Sequence, residues 1–117
     1  MRSDAGRLND ILEAIAKIEE RIPKDEETFE RDEMLQVWVI HHLQVIGEAA
    51  RWISDTLRSR RPDVPWAKII ALRNILVHEY FGLNMPQVWT MVQKDLPTLK
   101  AQIQSMQESL RPGSAEE

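Results

Sequence analysis

Apolar residues recur at helical spacing from the start of the chain. Leu8, Ile11, Leu12, Ile15, Ile18 and Ile22 form one stripe behind Ser3 and Asp4, either of which can cap a helix, and Pro23 closes the run. After the polar connector 24–28, the residues Met34, Leu35, Trp38, Val45, Ile46, Ala49, Ile53 and Leu57 trace a second stripe. It predicts one long helix of roughly 25 to 30 residues, beginning near Thr28 and fading at Arg58. Gly47 sits in its middle, where glycine costs about 1 kcal/mol against alanine. The residue is therefore expected to permit close approach by another backbone or side chain.

A loop over 59–64 leads to Pro65, whose missing N–H suits the first turn of a third helix. Trp66, Ile69, Ile70, Leu72, Ile75, Leu76 and Val77 follow, apolar on more than one face, so this helix must be covered on several sides by bundle mates or by another copy of the chain. The pattern breaks at Glu79-Tyr80-Phe81-Gly82. Asn84 then caps a fourth helix carrying Val88, Trp89, Val92, Leu96, Leu99, Ile103, Met106 and Leu110; Pro86 is tolerated in its first turn, and Pro97 should bend or break it. With no strand-like alternation, repeat or low-complexity tract, the expectation is an all-α four-helix bundle, with room for a short extra helix at a broken helix end. One domain over 1–110 and a frayed tail over 111–117 complete the plan.

Composition narrows the function. The 117 residues, 43% hydrophobic and 29% charged, suit a single core. No cysteine is present, so disulfides and thiolate metal sites are excluded and a reducing, cytoplasmic setting is expected. No apolar run approaches the roughly 20 residues that span a bilayer, so no membrane association is expected. A net charge of −4 argues against a surface that clings to nucleic acid everywhere. Any such site must be local, and Arg51, Arg58, Arg60, Arg61, Lys68 and Arg73 do concentrate in one third of the chain. Arg51, Arg58 and Lys68 are the candidates for RNA contact, although a basic helix end is also a solvated terminus favoured by the macrodipole.

The densest chemistry is Arg73-Asn74-Ile75-Leu76-Val77-His78-Glu79-Tyr80. Arginine can hold phosphate through a permanently charged fork, and histidine can exchange a proton near neutrality. Such a pair supports metal-independent RNA cleavage, in which the ribose 2′-OH attacks its own phosphate. On an ideal helix Arg73 and His78 lie about 140° apart, so they converge only if the helix ends near His78, if the arginine stem swings over, or if two copies face each other. Asn74 and His78 share a face, so the amide could orient the imidazole or bind a phosphate oxygen. The competing reading has His78 capping the helix and Arg73 paired with an acid such as Glu48.

This motif resembles the signature of the HepT-like toxins of the HEPN superfamily. The likeness extends to Ile46-Gly47-Glu48-Ala49-Ala50, Val64-Pro65-Trp66, Val88-Trp89 and Leu96-Pro97, in order over roughly residues 8 to 105. The resemblance implies a HEPN-type bundle, a homodimer with two motifs facing one cleft, and an RNase acting as the toxin of a toxin–antitoxin pair. It further implies Arg73 and His78 as catalytic residues, and Tyr80 as the residue adenylylated by a minimal nucleotidyltransferase antitoxin of MntA type. No cofactor is expected. The rival reading is a non-catalytic HEPN module that binds nucleotide or docks a nucleotidyltransferase.

Other residues carry less. Glu48, a lone acid in an apolar stretch, is expected to pair with Arg73 or Arg51 and to support the motif. His41 and His42 point about 100° apart and do not form a zinc site with each other. Trp38, Trp52, Trp66 and Trp89 could stack on bases, but tryptophan at core spacing is more often packing.

Overall fold

The computed structural model describes residues 3–78 and 84–111, apart from the side chains of Val77 and His78. The described residues contain α1 (Asp4–Arg21), α2 (Glu26–Arg31), α3 (Glu33–Arg51), α4 (Asp55–Ser59), α5 (Trp66–His78), α6 (Met85–Thr90), a π-helical turn (Met91–Asp95) and α7 (Leu96–Leu110). The fold is all-α, as expected. Among the described residues no helix is long and apolar enough to cross a membrane.

The core follows the stripes read from the sequence. Leu8, Ile11, Ile15 and Ile18 of α1 are buried against Val39, Ile40, Leu43 and Ile46 of α3 and against Leu99, Ile103 and Met106 of α7. Helix α3 packs α1 on one side and α5 on the other, and so carries the motif helix on its back. Phe29 of α2 is fully buried and meets the Trp89 ring at 5.6 Å, which ties the two short helices together.

The single long second helix expected from Thr28 to Arg58 is instead three helices. Asp32 ends α2 and starts α3, its carboxylate accepting from the Leu35 N–H at 3.0 Å. The Gln36 amide reaches back to the Phe29 and Glu30 carbonyls, covering acceptors left open at the end of α2. The second break lies after Arg51. There Ser54 caps α4 through the Leu57 N–H, while the carboxylate of Asp4 accepts from the Ser54 N–H at 2.9 Å and from its hydroxyl at 2.6 Å. Helix caps outcompete a continuous apolar stripe where they also anchor a distant element. Met34, placed on the predicted stripe, is 83% exposed because the true helix begins beside it.

Pro97 has the expected effect in a milder form. The helix widens to a π turn just before it, with the Leu96 N–H bonding the Met91 carbonyl, and α7 then continues with the proline in its first turn. Residues 112–117, the greater part of the expected tail, lie outside the described residues.

Candidate functional site

Helix α5 meets α3 closely at Gly47. A Cβ built there would fall 2.5 Å from the Arg73 Cβ and 3.1 Å from the Ile69 carbonyl oxygen. Glycine lets the two backbones approach until the base of the Arg73 side chain lies against α3. The next residue, Glu48, receives the other end of that side chain: Arg73 Nε lies 3.2 Å from Glu48 Oε1. Oε1 is buried and accepts no aligned hydrogen bond, so this contact is an ion pair held by charge. Arg51, one turn further along α3, approaches the same oxygen at 4.0 Å.

The carboxylate is fixed from its other oxygen. Trp52 Nε1 donates to Glu48 Oε2 at 2.8 Å. Arg73 has a second acceptor, since its Nη1 donates to Asn74 Oδ1 at 3.1 Å. Among the described residues, Nη2 has no such partner, which leaves donors of the fork available to an anion. The Asn74 amide oxygen thus helps to orient the guanidinium.

The motif's remaining members are less fully described. The backbone is helical through His78, so positions 73 and 78 lie about 140° apart around the axis. The His78 side chain and the whole of Tyr80 lie outside the described residues.

The basic residues are dispersed. Arg58 pairs with Asp55 at 2.5 Å and, with Asn74, lines a shallow groove whose floor is Trp66, Ala67, Ile70 and Ala71. Lys68 lies on another flank of α5, in an apolar groove of about 650 Å³ bounded by Leu43, Ile69, Leu72 and Leu99. Arg61 serves the scaffold: it grips Asp63 through two hydrogen bonds and reaches Ser105, and this bonding holds the Asp63 carboxyl below its usual range. Thus Arg51 and Arg73 meet at one carboxylate, while Arg58 and Lys68 stand on different flanks of the motif helix.

Elsewhere, His41 and His42 stack edge to face at 4.9 Å. Among the described residues, no three His, Cys, Asp or Glu side chains converge as a metal site would require. Helix α5 is apolar on several faces but incompletely covered. Trp66 and Leu76 are buried, whereas Ile75 is 46% exposed.

An all-α bundle thus sets the Arg73–Asn74 segment of α5 against Glu48 of α3. The model of the family described as Ribonuclease HepT-like matches residues 11–106, and the chain belongs to that family. A Thermococcus cleftensis protein named Probable ribonuclease HepT is 36% identical over 106 residues, covering 90% of this chain and 96% of the relative. A Methanocaldococcus jannaschii protein named as an inferred RNase is 38% identical over 96 residues, 82% of this chain and 83% of its own length. Another from Caldanaerobacter subterraneus, similarly named, is 34% identical over 80 residues, 68% of this chain and 71% of the relative. No solved structure gives a significant match.

Proposed function

We propose that the chain is a ribonuclease that cuts RNA without a metal, acting as the toxin of a toxin–antitoxin pair. The observation that carries this reading is Arg73, which meets Glu48 as the competing packing reading also expects, yet among the described residues keeps donors of its fork without a partner. The guanidinium binds the scissile phosphate and stabilises charge that grows on its oxygens in the transition state. The imidazole of His78 takes the proton from the ribose 2′-OH, or gives one to the departing 5′ oxygen. The 2′ oxygen forms a bond to phosphorus as the bond from phosphorus to the 5′ oxygen breaks. This path leaves a 2′,3′-cyclic phosphate and a 5′-hydroxyl end.

One histidine serves one proton transfer, so the complete reaction calls for a second, supplied by another copy across a shared cleft. The exposed apolar part of α5 favours such a homodimer. The relatives' names favour RNA as substrate. Silencing follows the same chemistry: a nucleotidyltransferase antitoxin attaches AMP to Tyr80, two residues beyond His78, and the new phosphate both blocks RNA and occupies Arg73.

Expression of the wild type, Arg73→Ala and His78→Ala without any partner tests the proposal through growth and RNA integrity. The wild type is expected to arrest growth and degrade RNA, and each folded variant to do neither. Growth and RNA untouched by the wild type would favour a non-catalytic nucleotide-binding or docking module. Intact mass after co-expression with the nucleotidyltransferase should rise by AMP on the wild type and stay unchanged on Tyr80→Phe.

A further inference from the structure

The four tryptophans have different surroundings. Trp66 is buried with its Nε1 donating to the Arg61 carbonyl at 3.1 Å, and Trp89 leans on Phe29. Trp38 donates to the Lys17 carbonyl at 3.0 Å, with the Arg21 guanidinium over its ring and His42 at its edge. Trp52 is 55% exposed, at the point where α3 stops. Its indole is nonetheless tethered, because Nε1 donates to the carboxylate that faces Arg73. The Arg51 guanidinium lies 5.2 Å from the ring centroid.

We propose that Trp52 is a nucleobase platform: a base flanking the phosphate gripped by Arg73 stacks on the exposed indole, while Arg51 offers charge to the next phosphate. The proposal rests on the ribonuclease reading above. Trp52 and Arg73 bind the two oxygens of Glu48, so a single carboxylate stands between the indole and the guanidinium and fixes both. The indole's polar edge is already satisfied and the Arg51 guanidinium lies over one of its faces, which leaves the opposite π face of a 55% exposed residue as the unused recognition element. Stacking of this kind tolerates any base, since every base has a π face. The cation over the indole suits a ligand that carries a phosphate beside each base.

The test uses the full chain and a fluorescently labelled hexanucleotide made uncleavable by 2′-O-methylation. Binding is followed by anisotropy for the wild type, Trp52→Phe and Trp52→Ala, with matched melting midpoints and with sedimentation mass recorded. Trp52→Ala should weaken binding roughly 10- to 100-fold, and Trp52→Phe only a few-fold. Moving one abasic site along the oligonucleotide should find a position at which wild type and Trp52→Ala bind alike. No binding by the wild type, equal binding by all three proteins, or a Trp52→Ala loss that persists at every abasic position overturns the platform. A loss that accompanies dissociation to monomers and ignores the abasic site assigns Trp52 to a seam between copies. Cleavage of the corresponding 2′-hydroxyl RNA is scored separately. Trp52-dependent binding without cleavage would sink the ribonuclease reading and leave the platform standing, whereas cleavage indifferent to Trp52 would do the reverse.

Discussion

Gly47 and Arg73 share a space that admits only one Cβ: a methyl at position 47 would come within 2.5 Å of the arginine's own Cβ. Neither atom belongs to a flexible side-chain end, so relief requires the two helices to move apart. Gly47→Ala is therefore expected to destabilise the fold by about 1–3 kcal/mol in urea unfolding, despite alanine's better helix propensity. It should also lower cleavage by more than the loss of folded protein explains, because Arg73 moves with α5.

Glu48 works on Arg73 through charge and on Trp52 through a hydrogen bond, and glutamine separates the two roles. Glu48→Gln keeps an acceptor for the indole N–H and removes the negative charge facing both arginines. Both partners of the Arg73 pair are partly exposed, so stability should change by less than about 1 kcal/mol. Turnover should fall roughly tenfold, a size typical of lost orientation in a phosphate-binding group. In a double-mutant cycle, Glu48→Gln should cost little once Arg73 is already alanine.

Asp4 and Ser54 join the start of α1 to the start of α4, the Ser54 N–H and hydroxyl both donating to the Asp4 carboxylate. Removing them with Asp4→Ala should cost about 1–2 kcal/mol in thermal unfolding. Ser54→Ala removes one of these bonds and the α4 cap, and a cost of about 1 kcal/mol or more is expected. Since Ser54 lies two residues beyond Trp52, both variants should also weaken RNA binding modestly.

His42 supplies the pH dependence. Burial first, then the positive neighbours His41 of its own helix and Lys17 of α1, hold its pKa below the ordinary 6.5, and its Nε2 is buried without a hydrogen-bond partner. On acidification the unfolded chain takes this proton first, so more protons are bound in the unfolded state. Stability is fully present above about pH 6.5 and declines as pH falls toward the lowered native value. Melting midpoints between pH 5 and 8 should fall on the acid side for the wild type and fall less for His42→Phe.

The sequence was most informative where a side chain has only one sensible use. Asn84 caps its helix as read, and Ser3 is the cap of the two candidates Ser3 and Asp4; they accept from the Gln87 and Gly6 N–H groups. Glu48 was expected to pair with Arg73 or Arg51, and it faces both, because an acid in an apolar stretch needs a counter-charge. The breaks in the second helix were hidden by an unbroken apolar stripe. Their signals were present in Asp32 three residues before Leu35 and Ser54 three before Leu57, but the partnership that makes Ser54 decisive comes from Asp4, fifty positions away. Trp52 could not be told from core tryptophans by spacing. Its exposure depends on α3 stopping at Arg51, a boundary set by tertiary contacts.

The central claim, that Arg73 holds the scissile phosphate for a metal-independent cut, is tested most directly with purified protein. A defined RNA is incubated with the wild type and with Arg73→Ala in excess chelator, and the ends of the products are identified. The account predicts 2′,3′-cyclic phosphate ends from the wild type and a rate lower by roughly 10²- to 10³-fold in a folded Arg73→Ala. Equal rates, or cleavage that vanishes with the chelator, would contradict it.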